Sequence, residues 1–260
     1  MTILSNLFLI AFCLLMHGAY SQDEIEFVPL DRFTVNELPS EDELRDLNRH
    51  SIDWTGIVKN GNLFFLDRYD VEFYGDTLPF PVEELADHVK CRIGGGNYHI
   101  LRNENDWYIG TNRGEWGGTL FKLSSNFKKC SEICHANVNQ LFTFEDKVYM
   151  VEGLSHLGLS GGTIVELKDD QTLDTLLTLD ETPRYLLFNT RDEGYLLTDS
   201  KLYAINTKMD TTCLFHNVEF PYLYPSNLIL YEDTLYVAMR GGILTFCTRT
   251  KEVKWLTRKE

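Results

Sequence analysis

One phrase returns four times along this 260-residue chain: a turn, three times Gly-Gly, followed by a short alternating strand. It reads GGTLFKL at 117–123, GGTIVEL at 161–167, DSKLYAI at 199–205 and GGILTFC at 241–247, so the copies lie about forty residues apart. Each copy trails another strand: DWYIGT from Asp106, DKVYMVE from Asp146, GYLLTDS from Gly194 and DTLYVAM from Asp233. A period near forty built only of strands is the signature of propeller blades, because each small sheet buries its faces only against its neighbours. The repeat constrains the fold far more than it constrains the function.

From Trp54 the strands fall into five groups of about four, at 54–90, 98–133, 138–179, 184–216 and 227–256. The predicted fold is therefore all-β, a single propeller of five blades. Bulky and β-branched residues alternate or run together in these strands, as sheets sandwiched between neighbours require. The turn glycines are expected to supply the positive φ of tight hairpins. The first group contains GNLFFLD at 61–67 and YDVEFYG at 69–75, both expected as strands of the first blade. It then departs from the pattern. Val82, Leu85, Ala86 and Val89 follow Pro81 at helical spacing, which predicts a helical insertion. The thirteen Tyr and sixteen Phe read as blade-packing residues rather than stacking platforms.

The last blade resembles a known repeat. In TFCTRTKEVKW, residues 245–255, Thr250 and Trp255 stand where the quinoprotein-like, PQQ-type propeller repeat has its Thr and terminal Trp. LYAINTKMDTTCL at 202–214 is a fainter copy, with Ala204 at the Ala of that repeat and Asn206 at its Asp. Cys247 replaces that Asp in the last blade, Lys251 replaces a Gly, and the second and third blades lack the Trp. The resemblance covers two blades and implies a propeller superfamily, not an activity. The vicinal Cys pair and calcium site of the dehydrogenases in that group have no counterpart in this sequence, so no quinone or other cofactor is expected.

Residues 1–21 read as an export signal: an apolar run from Leu7 to Met16, the helix breaker Gly18, then Ala19-Tyr20-Ser21 before Gln22. No later run is apolar for long enough to span a bilayer, so no stable membrane span is expected after cleavage. Residues 22–53 form an acidic lead with ten Asp or Glu against three Arg. Within it Ser40 and Glu43 make a capping box for a short helix through about Arg49, with Leu44 and Leu47 as its apolar side. The lead is expected either to pack on the propeller rim or to be partly mobile. Residues 54–260 form the propeller. The net charge of −15 argues against a nucleic-acid or anionic-membrane partner and allows a basic one. Cys91, Cys130, Cys134, Cys213 and Cys247 follow the signal, an odd set that allows two bridges at most.

Function has to be sought in the loops. In a four-stranded blade the second-to-third hairpins and the blade-to-blade links share one face. On that face fall 111–118, 153–162, the turn at Arg240, and the links around 92–97, 182–184 and 220–226. Arg113, Glu115, Trp116, His156, Arg184, Tyr222, Tyr224 and Arg240 are the candidate binding residues, set around the channel mouth on a rigid scaffold. Asp53, Glu104, Asp106 and Glu115 are the nearest carboxylates for a five-bladed glycosidase, which needs two of them in one pocket. The histidines are scattered singly, and neither a phosphate loop nor a GxSxG elbow occurs. These residues favour a periplasmic or extracellular binding or scaffold module for a protein partner, one version being an inhibitor or immunity-type protein. A carbohydrate-binding or glycoside-processing propeller is the alternative.

Overall fold

The computed structural model describes residues 26–50, 52–68, 73–75, 78–80, 84, 93, 96–104, 106–157, 159–217 and 220–259. The expected signal at 1–21 and, apart from Glu84, the expected insertion at 81–89 lie outside them. The lead contributes strands β1 (Val28–Pro29) and β2 (Phe33–Asn36) and helix α1 (Glu41–His50). Five sheets follow, forming a five-bladed β-propeller. Blade 1 has β3 (Trp54–Lys59) and β4 (Asn62–Asp67). Blade 2 has β5 (Phe73–Gly75), β6 (Asn97–Asn103), β7 (Asp106–Asn112), β8 (Thr119–Ser124) and β9 (Cys130–His135). Blade 3 has β10 (Val138–Phe144), β11 (Lys147–His156), β12 (Leu159–Leu167) and β13 (Leu173–Leu179). Blade 4 has β14 (Pro183–Phe188), β15 (Gly194–Thr198), β16 (Lys201–Ile205) and β17 (Thr211–His216). Blade 5 has β18 (Asn227–Tyr231), β19 (Thr234–Met239), β20 (Gly242–Cys247) and β21 (Val253–Arg258).

Strand β10 packs beside β6 and β14, and β18 beside β14 and β3, so β3, β6, β10, β14 and β18 gather about the central axis. Between the blades lie separate apolar clusters. Leu120, Val138 and Met150 fill the space between blades 2 and 3, Ile164, Leu186 and Leu196 that between 3 and 4, and Leu202, Val237 and Phe246 that between 4 and 5. Each such fully buried side chain stabilises the ring by roughly 1.5–3 kcal/mol. The aromatics belong to this packing: Phe142 stacks on Tyr149 at 5.2 Å and both rings meet Phe188. Amide side chains stitch the inner strands where blades splay apart. Gln140 accepts from Leu186 N (2.7 Å) and donates to its carbonyl (3.1 Å), while Asn227 does the same for Gly56 across blades 5 and 1.

The lead closes the ring. Strand β1 pairs antiparallel with β4 as the third strand of blade 1, and β2 pairs with β21 as the outermost strand of blade 5. Phe33, between them, is buried with its ring 5.3 Å from those of both Trp54 and Phe65. Residues 73–75, expected in blade 1, instead lie parallel to β6 on the inner edge of blade 2. A Cβ at Gly75 would fall 2.0 Å from the Ile100 carbonyl, so only glycine admits that pairing.

The glycine doublets do different work from the expected hairpin φ. The first glycine has a positive φ at Gly117 (75°) and Gly241 (79°), but Gly161 does not and sits inside β12, paired with Leu154. The second glycine is where close approach decides. A Cβ at Gly118, Gly162 or Gly242 would lie 2.1 Å from the Thr111 carbonyl, 2.2 Å from that of Glu152, or 2.4 Å from the Trp255 ring. Trp255, at the tryptophan position of the repeat, is thus a buried packing residue. Lys251, where that repeat has Gly, adopts φ 64°, the left-handed conformation glycine takes without strain. Asn206, at the Asp position, accepts the N–H groups of Lys208 and Asp210 and so holds its turn.

Cys134, Cys213 and Cys247 are free, whereas Cys130 is disulfide-bonded to a partner outside the described residues. Cys130 and Cys134 are therefore not joined to each other. Burial pushes the Cys134 thiol above its ordinary range.

Candidate functional site

Helix α1 begins where the sequence places it. The Ser40 N–H and hydroxyl both donate to the Glu43 carboxylate at 2.7 Å, which holds Glu43 below its usual carboxylate range. Acidic Glu41, Asp42 and Glu43 complement the helix N-terminus. Leu44 is buried against blades 4 and 5, and Leu47 covers Gly241 at the β19–β20 hairpin. Past the helix, Asp53 forms an isolated bridge with Arg240. The Arg240 guanidinium grips both Asp53 oxygens, at 2.6 and 3.0 Å, and donates to the Asn48 carbonyl and Oδ1. Its flat face lies 4.6 Å from the Tyr224 ring centre. Arg240, a candidate contact for a partner, is therefore engaged in tying α1 to blade 5.

Arg184 is engaged in the same way, against the buried carboxylate of Asp199 in the β15–β16 turn. Asp199 also meets the Ser160 hydroxyl, which bonds to Thr182, so this polar knot joins blades 3 and 4. Sequence reasoning missed Asp199, although its place in the DSK version of the repeated phrase, where other copies have Gly, was a visible signal.

Blades 2 and 3 present the same hairpins differently. Residues Gly114–Trp116 form a 3₁₀ turn between β7 and β8, with Arg113 donating from Nε to the Gly117 carbonyl at 3.2 Å. Asn112 Oδ1 accepts from Gly114 N, and Asn137 Nδ2 donates to the Gly114 carbonyl, which fixes the turn from both sides. Glu115 then reaches the next blade, its carboxylate 2.8 Å from His156 Nε2 near the tip of the β11–β12 hairpin. Beside this contact three apolar residues on neighbouring hairpins stand in solvent: Trp116 is 77% exposed, Leu157 89% and Leu159 79%. Leu157 has φ 50°, which a leucine adopts only at a cost. Leu157 and Leu159 were not among the sequence candidates, because an exposed leucine looks like a buried one until burial is known.

Tyr222 lies half-exposed beside α1, and Tyr224 turns through φ 49° into the link before β18. Tyr224, Arg113 and Arg184 share a cavity of about 360 Å³ at the mouth of the ring, together with Arg68, Asn97 and His99. The remaining candidates stand around it rather than in it. Burial first, then the charge of Arg68, lowers the His99 imidazole to about 3, so it is neutral at physiological pH.

The four candidate carboxylates do not converge. Asp53 is bound by Arg240, Glu115 by His156, and Asp106 by Lys122 at 3.0 Å. Glu104 and Asp106 sit at the β6–β7 hairpin, a strand length of about 20 Å from the β7–β8 turn that carries Glu115. Among the described residues the cavity lining contains no Asp or Glu, and no three metal-ligating side chains come together.

No family model matches the sequence, and no curated protein matches it. Solved structures do match in shape. The extracellular domain of a hybrid two-component system from B. thetaiotaomicron aligns with 88% of this chain and 35% of its own, at 10% identity and a TM-score of 0.51. An extracellular domain described as that of a one-component system from the same organism aligns with 85% and 34%, at 10% identity and 0.50. The chain thus spans about a third of the length of these domains. Virginiamycin B lyase from Staphylococcus aureus aligns with 86% of this chain and 88% of its own, at 10% identity and 0.46. At such identities the likeness concerns fold alone, and by fold this chain is a five-bladed β-propeller.

Proposed function

We propose that this protein is an exported binding propeller that recognises a protein partner through the bare part of its loop face, on blades 2 and 3. The observation that carries the reading is the trio Trp116, Leu157 and Leu159, exposed on adjacent hairpins beside the Glu115–His156 contact. Exposed aromatic and aliphatic residues on fixed loops, rimmed by polar side chains, are the makings of an interface core. Leu157 strengthens the reading, since its left-handed backbone carries a cost that burial of its side chain does not offset. The acidity of the chain suits a basic partner, and occluding such a partner, as an inhibitor or immunity-type protein would, is the narrower version. Export rests on the sequence of residues 1–21. Among the described residues no helix is long and apolar enough to cross a membrane.

The test is an affinity capture from the native exported fraction using residues 22–260, beside the triple variant Trp116→Ala, Leu157→Ser, Leu159→Ser. A protein retained by the native chain and lost with the variant is the expected result. Equal retention by both would move the interface elsewhere.

A further inference from the structure

The cavity at the ring mouth has a chemistry opposite to that of the whole chain. Its lining includes Arg68, Arg113 and Arg184 and, among the described residues, no carboxylate. The whole chain, these arginines included, carries a net charge of −15. Asp199, behind Arg184, offsets the charge of that guanidinium. Arg113 is different: its Nε meets only the neutral Gly117 carbonyl, and no carboxylate pairs with it among the described residues. His99, whose imidazole is lowered mainly by burial and then by the charge of Arg68, lines the same cavity.

We propose that this cavity binds a small hydroxylated carboxylate of about monosaccharide size, with the carboxylate on Arg113. The volume of about 360 Å³ is at the small end of ligand pockets. A guanidinium fork matches a carboxylate with two parallel hydrogen bonds. Asn97, exposed at the rim, supplies an amide for hydroxyl groups, and Tyr224 lines the same cavity with one ring face against Arg240. Asn112 and Asn139 play no direct part, since their amides bond to each other and to the backbone of blades 3 and 4. Beyond about 10 Å salt screens the repulsion from surface acids. This inference does not depend on the protein-binding reading, which rests on other residues.

The experiment is titration calorimetry on the full mature chain with D-galacturonate, D-glucuronate and N-acetylneuraminate, beside D-galactose, D-glucose and inorganic phosphate. At least one sugar acid is expected to saturate at millimolar concentration or below, with no signal from the neutral sugars. Arg113→Ala should weaken that binding about tenfold or more, the typical loss of a charge-assisted bond, and Arg113→Lys should restore part of it. Because Arg113 is exposed, both variants should melt as the native chain does. Sugar acids binding no better than neutral sugars, or binding equally well to Arg113→Ala, would overturn the proposal. Phosphate binding as tightly as the best sugar acid would also overturn it, by revealing a site for any anion.

Discussion

The two halves of the loop face use the same hairpins and treat them oppositely. On blade 5 the β19–β20 hairpin is covered: Leu47 sits on Gly241, Leu44 is buried below, and Arg240 clasps Asp53 and Asn48. On blades 2 and 3 the equivalent turns are uncovered, with Trp116 and Leu157 in solvent and a half-exposed Glu115–His156 contact between them. Covered turns spend their side chains on holding the molecule together. Bare turns keep theirs for something else, and the difference locates function more sharply than residue type does.

The comparison breaks most severely at Arg240. Replacing it by Ala leaves the Asp53 carboxylate, 7% accessible, without its partner, and urea unfolding should show a loss of about 3–5 kcal/mol. The double variant Arg240→Met, Asp53→Leu should recover much of it, which would separate the cost of an orphaned charge from the value of the pair. Leu44→Ala should cost roughly 2–3 kcal/mol, the low end of buried-leucine losses, because the helix it anchors can settle inward. If the same two measurements showed no change, α1 would not be a structural cover.

Acid tests the ring between the halves. Since His99 titrates near 3 in the fold and near 6.5 when unfolded, the unfolded chain takes up its proton first on acidification. Its contribution is intact above pH 6.5 and is lost as pH falls, by about 2 kcal/mol at pH 5. Chemical denaturation of native and His99→Gln chains at both pH values checks this, the variant lacking that part of the slope. On the bare side effects should be small. Glu115→Gln should cost no more than about 1 kcal/mol, as exposed ion pairs do. Leu157→Gly should be neutral or stabilising by up to about 1 kcal/mol, since relief of the left-handed backbone competes with glycine's extra freedom. A large loss at Leu157 would mean the hairpin tip is structural and would remove the main support for an interface there.

Much of the fold was legible in the residues. The spacing of the repeated phrases, three with Gly-Gly and one with Asp-Ser, marked blades 2 to 5, and Ser40 and Glu43 marked the start of α1. The strands that close the ring were not. β1 and β2 have two and four residues, one of them Pro29, and carry no alternation to notice. Their partners lie at the far end of the chain or across a helix, so pairing is decided by geometry that local sequence does not record. Of the candidate site residues, Arg113, Arg184 and Tyr224, chosen by loop position, line one cavity. Loop position could not tell that Arg184 and Arg240 were already occupied, because Asp199 and Asp53 meet them only once the ring is closed.

Local pattern was sufficient for the all-β blades and their number, since alternation and turn chemistry act within a few residues of one another. Tertiary structure alone chose which glycines are needed for close approach, which arginines are neutralised and which hairpins α1 covers. Those outcomes depend on groups brought together across blades, such as Asp53 and Arg240 or Leu47 and Gly241. Burial and charge pairing at that range exist only after the ring has formed.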